Sequence, residues 1–285
     1  MEILMQNLSF MGLIDSKSTH YGNVLIMLTK DELKFYLDAL PVVNTDSYGD
    51  LYTAEIDDLY FLYCLVREKV IISIMEFGSG WSTSVLSLAL YENFVEYGDR
   101  HLAQVRHPNP FRLLTIDASA EYMEIALGRI PITQREKIDV IVSTPQLIDL
   151  GGFICHQFPD VPNFSPDLIY LDGPDHDQVK GEIRGFKYLK SFTQPMGADI
   201  LALEPFLWPE TIIVTDGRTA NARFLESRLQ REWQSLHDPF GDRTIFRLNE
   251  TALGLISENH INFRLIHSRF SNSKEIPHGQ MSTES

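Results

Sequence analysis

Cysteine is nearly absent. Cys64 and Cys155 are the only two in 285 residues, too few for a disulfide scaffold or a four-cysteine zinc site. Long apolar runs are missing as well: no stretch of 18 uncharged apolar residues occurs, which excludes a membrane-spanning helix. Basic residues are in deficit, with Lys plus Arg at 24 against 39 Asp plus Glu and a formal charge of −15. A field of that sign repels polyphosphates, so nucleic acid is not an expected partner. The opening MEILMQNLSFMGLIDSKS carries Glu2 and no basic segment ahead of an apolar core, unlike a secretory leader. These deficits point to a cytoplasmic chain with no membrane partner. They leave the oligomeric state open, a homo-oligomer included.

What is present is an ordinary globular composition, 44% apolar and 22% charged, enough to bury a sizeable core. Residues 1–69 read as an N-terminal helical cap. KDELKFYLDAL (30–40) is a short helix stopped by Pro41. The stretch 41–53 is turn-rich, and Ile56, Leu59, Tyr60, Tyr63 and Val66 then fall on one helix face. Residues 70–270 read as one domain. Five short apolar runs, VIISIMEF (70–77), RLLTIDAS (112–119), KIDVIVS (137–143), PDLIYLDGP (166–174) and TIIVTDGR (211–218), are separated mainly by helical segments. Runs apolar throughout indicate parallel strands covered on both faces. EWQSLHD (232–238) and DRTIFRLNE (242–250), joined by PFG, form an antiparallel hairpin. The expected fold is α/β, a doubly wound, mostly parallel seven-stranded sheet. Residues 271–285 are polar and expected to be disordered.

Ligands of such sheets bind at the carboxyl ends of the strands. The sharpest signal at such an end is Glu76-Phe-Gly78-Ser79-Gly80-Trp-Ser82-Thr83. Two glycines clear side chains where a strand turns into a helix, and the helix N-terminus presents free N–H groups there. The dinucleotide fingerprint wants a third glycine where this chain has Thr83. Glu76 beside the loop opposes a pyrophosphate and favours a cationic ligand. Asp117, at the end of the second run, is placed to accept two hydrogen bonds from a ribose diol. The polar, proline-containing segment 95–111 between the two reads as an inserted loop.

The order E-x-G-x-G-x-S/T, T-I-D, P-D-L-I-Y-L-D-G-P and an apolar strand with D-G-R resembles the class I S-adenosylmethionine-dependent methyltransferases over roughly residues 70–250. The resemblance implies that the turn carrying Glu76, Gly78, Ser79, Gly80 and Ser82 meets the methionine part of S-adenosylmethionine. It implies further that Asp117 binds the ribose and that Ser143 stands at the adenine position.

Asp172-Gly-Pro-Asp175-His176 follows the fourth run, where the resemblance places the transferred methyl. A hydroxyl acceptor must lose its proton there. His176 has a suitable ordinary pKa, and Asp172 can orient it or act itself. Asp216 ends the neighbouring strand, so Asp172 and Asp216 are candidates to share a divalent cation such as Mg²⁺. Metal-dependent catechol-type relatives have Asp-Asn at that second position; this chain has Asp216-Gly217, with Asn221 displaced. The alternative for Asp216, Arg218 and Asn221 is helix capping with an Arg–carboxylate clamp.

The segment 151–164 reads as an acceptor-side insertion. Its Cys155 is expected to be a small apolar residue rather than a nucleophile. Glu204 is expected at the surface, and needs a partner if buried. The expected function is O-methylation of a small molecule or sugar. An NAD-dependent oxidoreductase and a non-catalytic binding subunit are the alternatives. Specificity is expected from the cap, with Tyr48 and Tyr52 lining the pocket and Tyr60 and Tyr63 packing, and from 151–164.

Overall fold

The computed structural model describes residues 27–41, 53–187 and 196–268. Tyr48, Tyr52 and the tail 271–285 lie outside the described residues, as does most of 1–29.

The chain opens with α1 (Lys30–Asp38), started by a reciprocal cap in which Thr29 and Glu32 bond each other's backbone. Helix α2 (Ile56–Glu68) follows, then β1 (Ser73–Phe77), the long α3 (Trp81–Gln104), β2 (Arg112–Asp117), α4 (Ala120–Arg129), the single turn α5 (Ile132–Arg135) and β3 (Ile138–Val142). After a hairpin of β4 (Gln146–Leu150) and β5 (Phe153–Gln157) come β6 (Leu168–Leu171), a short ribbon of β7 (Glu182–Ile183) and β8 (Phe186–Lys187), α6 (Asp199–Leu203), β9 (Ile212–Asp216) and α7 (Thr219–Glu226). The chain closes with β10 (Trp233–Asp238), β11 (Arg243–Leu248) and α8 (Leu255–His267).

Seven strands form one sheet in the order β10-β11-β9-β6-β1-β2-β3. The pairs β9-β6, β6-β1, β1-β2 and β2-β3 are parallel; β11 is antiparallel to both neighbours. This is the doubly wound, mostly parallel sheet with a closing hairpin that the pattern of apolar runs predicts. Every residue of β1 is buried. Alternation sends Ile74 into the core shared with α1, α2 and α3, and Met75 and Phe77 into the opposite core with Phe158, Ile200 and Leu225.

The expected boundary at residue 69 does not divide the core. Leu59, Leu62, Tyr63 and Val66 of α2 pack in the same cluster as Ile74, Val85 and Leu113. Arg67, fully enclosed, reaches from α2 to Glu92 at 3.0 Å and Glu96 at 2.8 Å on α3. Tyr63 donates to Glu92 at 2.7 Å, which agrees with its expected packing role. The segment 151–164 begins as a strand rather than a loop: β5 pairs with β4 across Gly151 and Gly152, both at positive φ. Adjacent glycines between alternating apolar residues are a hairpin signal. Cys155 is buried in β5, where burial pushes its thiol up. Glu204 is buried too, against the surface expectation. It accepts from the backbone of Gln230 and Arg231 and from Trp233 Nε1 at 2.8–2.9 Å.

Helix α8 packs at the amino ends of β1 and β6, away from the strands' carboxyl ends. Its His260 and Arg264 meet Asp167, just before β6, at 2.7 and 2.9 Å. His107, Asp167 and His260 form, among the described residues, the one group of three metal-type donors in reach of each other. Asp167 is already saturated: Oδ1 takes His260 and Arg264, and Oδ2 takes the N–H groups of Ile72 and Ser73. An arginine on the shared oxygen makes this a structural anchor, not a cation site.

Candidate functional site

A cleft of about 490 Å³ opens at the carboxyl ends of β1, β2, β6 and β9, within the usual size of small-molecule sites. It brings together Gly78, Ser79, Gly80, Ser82, Asp117, Asp172 and Asp216 from the sequence expectation. The register explains the last pair. Leu171 stands opposite Thr215, so Asp172 and Asp216 leave adjacent parallel strands side by side.

Asp117 joins two elements. Its Oδ2 accepts from Ser79 N at 2.6 Å and Ser79 Oγ at 2.8 Å; its Oδ1 accepts from Ser119 N at 2.7 Å. Three of about four acceptor directions are occupied. One remains for a ligand hydroxyl, and rotation of the Ser79 hydroxyl frees a second. The diol contact expected of Asp117 therefore depends on Ser79.

Glu76 does not reach the cleft. Alternation along β1 turns it under the first turn of α3, where it has no exposed surface. Its oxygens accept from Ser82 Oγ at 2.7 Å and from Thr83 Oγ1 and Thr115 Oγ1 at 2.8 Å each. Burial pushes its carboxyl up to about 7, against the pull of those three hydroxyls. It anchors the glycine turn from below, so its charge does not select the ligand. Ser143 is also absent from the cleft lining. Its hydroxyl donates to Asp160 at 2.7 Å, because β3 ends with that side chain turned towards the following loop. His176 begins a 3₁₀ turn, 176–178, with its side chain outside the description.

The cleft is nonetheless acidic. Glu55, Asp58, Asp117, Asp172, Asp175 and Asp216 line it, against Arg129 and Arg218. Burial and then the neighbouring carboxylates Asp216, Glu76 and Asp175 push Asp172 up to about 7, with Arg218 pulling the other way. Half of the Asp172 side chain (49%) faces the open cleft, so solvent there moderates the shift. Asp216 is raised by burial and held by the Tyr170 hydroxyl, which donates to Oδ2 at 2.6 Å. Burial, then hydrogen bonding with Glu55, pushes Asp58 up to about 6, while Arg243 at 3.0 Å lowers it.

Arg218 holds the loop after β6, donating to the carbonyl oxygens of Asp172 and Pro174. Asn221 borders the cleft, but its Oδ1 is taken up, accepting from Gly197 N at 2.6 Å. Asp172 and Asp216 thus offer two carboxylates without a third side-chain donor from Asn221. A magnesium ion that takes its other ligands from water and substrate fits that donor pair.

Three sets of lining residues were not named by the sequence reading, which expected the cap at the pocket through Tyr48 and Tyr52 instead. Thr53, Glu55, Asp58 and Leu59 bring the entry and first turn of α2 to the cleft. Tyr122, Ile125 and Arg129 do the same from α4, at the i, i+3, i+7 spacing of one helix face. Tyr170 comes from inside β6. Only the helix spacing was visible beforehand; nothing in it names the cleft as its destination.

No family model matches the chain, and no curated protein matches it. Among solved structures it is similar to an O-methyltransferase from Streptomyces achromogenes involved in tomaymycin synthesis, in complex with S-adenosylmethionine, at 14% identity and TM-score 0.36, over 70% of this chain and 82% of that one. It is similar to an O-methyltransferase from Bacillus cereus in complex with S-adenosylhomocysteine, at 14% identity and TM-score 0.37, over 87% and 97%. A methyltransferase from Podospora anserina with S-adenosylhomocysteine bound stands at 12% and 0.41, over 81% and 100%. By its own strand order, the chain has the Rossmann-like sheet expected from the class I methyltransferase resemblance.

Proposed function

We propose that the protein is an S-adenosylmethionine-dependent methyltransferase acting on a hydroxyl of a small molecule or sugar. The observation that carries this reading is Asp117, which ends β2, ties down the glycine turn through Ser79, and keeps an acceptor direction in an acid-lined cleft. Such walls favour a cationic ligand over a pyrophosphate. Bound there, S-adenosylmethionine would supply a methyl on a sulfonium whose departure is neutral.

The chain's own residues have the remaining tasks. Asp172, open to the cleft and raised towards neutrality, takes the proton of the acceptor hydroxyl. Tyr170 fixes Asp216 beside it, and the two carboxylates together orient the acceptor or hold a magnesium ion. The wall from Thr53 to Leu59 borders the acceptor. Calorimetry with S-adenosylhomocysteine and NADH tests the reading. S-adenosylhomocysteine is expected to bind one to one and raise Tm, and NADH to do neither. Binding of NADH alone would overturn it. Methyl transfer to a panel of hydroxylated acceptors separates an enzyme from a binding subunit.

A further inference from the structure

One charge in the cleft has no counterpart among the described residues. Arg129, the last residue of α4, is 8% exposed yet lines the cleft wall. Its guanidinium lies over the Trp81 ring at 3.9 Å from the centroid and makes no ion pair with a described residue. Burial alone lowers its pKa; no neighbouring carboxylate offsets it. Other enclosed arginines are served differently: Arg67 has Glu92 and Glu96, Arg264 has Asp167, and Arg243 has Asp58 and Asp238. An enclosed cation without a counterion is costly, and an aromatic face compensates it only in part. Guanidinium donors in a plane match a carboxylate edge to edge. Trp81 opens α3 directly after Gly80, so the pair borders the glycine turn rather than the Asp172–Asp216 end.

We propose that Arg129, stacked on Trp81, is an anion-binding residue of the cleft that receives a carboxylate of the bound ligand. This rests on the methyltransferase reading for one source of that carboxylate, the amino-acid end of the cofactor; an acidic group on the acceptor is the other. The partial charges are balanced in either case: the cationic end of the ligand faces the carboxylates and its anionic end faces Arg129.

Calorimetry with S-adenosylhomocysteine and its decarboxylated analogue, which differs only in the carboxylate, reads the first source. Wild type is expected to prefer the carboxylate form tenfold or more. Arg129→Met should erase that preference while leaving the analogue's affinity unchanged, and Arg129→Lys should keep part of it. The second source is read by titrating inorganic phosphate into protein saturated with S-adenosylhomocysteine. A rise in Tm in wild type and Arg129→Lys, absent in Arg129→Met, places the anion site beside the cofactor. If the preference survives in Arg129→Met and phosphate leaves wild type unmoved, the proposal is overturned. If neither nucleoside binds wild type, the cofactor reading fails by itself, and phosphate on the unliganded protein and both variants still decides the role of Arg129. Should Arg129→Met not fold, Arg129→Lys and Trp81→Phe carry the comparison. A purely structural stack predicts equal losses for both nucleosides.

Discussion

Gly78 and Gly173 lie against each other. A Cβ on Gly78 would stand 2.6 Å from Gly173 N, and a Cβ on Gly173 would stand 2.5 Å from Gly78 Cα. The loops after β1 and β6 cross there because Gly173 N donates to Phe77 O at 2.6 Å and Asp172 N donates to the same oxygen at 2.9 Å. Gly78 also sits at φ +96°, a region other residues rarely adopt. The contact brings the glycine turn and the carboxylate of Asp172 into one cleft.

Gly173→Ala is therefore expected to destabilise the fold by roughly 1–3 kcal/mol or more, since backbone rather than a mobile side chain must give way. Gly80→Ala is the control. Its backbone is extended and nothing lies within 4 Å of a Cβ. Chemical denaturation should show it unchanged in stability, while calorimetry shows weaker S-adenosylhomocysteine binding. Equal stability of both variants would remove the close-approach account.

Glu76 makes a pH-dependent prediction. Its carboxyl is raised in the fold, so the folded protein holds the proton more tightly than the unfolded chain. The associated stability is full below the ordinary pKa of 4.5 and is lost as pH rises towards about 7. Glu76→Gln keeps three hydroxyl partners without titrating. The Tm of wild type relative to Glu76→Gln should fall between pH 4.5 and 7 and be level above. Glu76→Leu strands the hydroxyls of Ser82, Thr83 and Thr115, costing about 1–3 kcal/mol for each left unpaired.

The opposite limb belongs to the histidines behind the sheet. His101 and His107 are lowered to about 4, chiefly by burial. His101 faces His260 and Asp167; His107 faces Asp167, His260, Arg264 and Trp208. Below pH 6.5 the unfolded chain binds protons that the folded one refuses, so stability drops from about pH 6.5 to about 4. Replacing His107 with Gln should flatten that slope in Tm against pH. An unchanged slope would place the acid sensitivity elsewhere.

At the reactive end, Asp172→Asn should reduce kcat at least a hundredfold with little change in cofactor affinity. Wild-type kcat should rise through an apparent pKa near 7 as Asp172 loses its proton. Chelation separates two roles for the pair. Loss of turnover in EDTA, restored by Mg²⁺, assigns Asp172 and Asp216 to a cation; full turnover leaves proton transfer by Asp172.

Asp117 is tested through its partner. Asp117→Ala should weaken S-adenosylhomocysteine tenfold or more, while Ser79→Ala, which keeps the backbone N–H bond to Asp117 and frees a second acceptor direction, should not weaken it. Unchanged affinity in Asp117→Ala would sink its assignment.

The strands, their parallel arrangement and the closing hairpin were legible in the sequence, because buried parallel strands need unbroken apolar runs and turns need glycine and acids at fixed places. The same logic located Gly78, Asp117, Asp172 and Asp216: in a parallel sheet, the residues after each run emerge at one edge. Helix α8 left no such trace, since its buried face carries Ser257, His260, Ile261, Phe263 and Arg264 and is held largely by ion pairing rather than an apolar stripe. The inward turn of Glu76 was decided by tertiary structure, through the side chains that α3 and β2 placed around it. So were the cleft walls from Asp58 and Arg129, because which helix face meets a strand end depends on how the layers dock, and no local spacing records that.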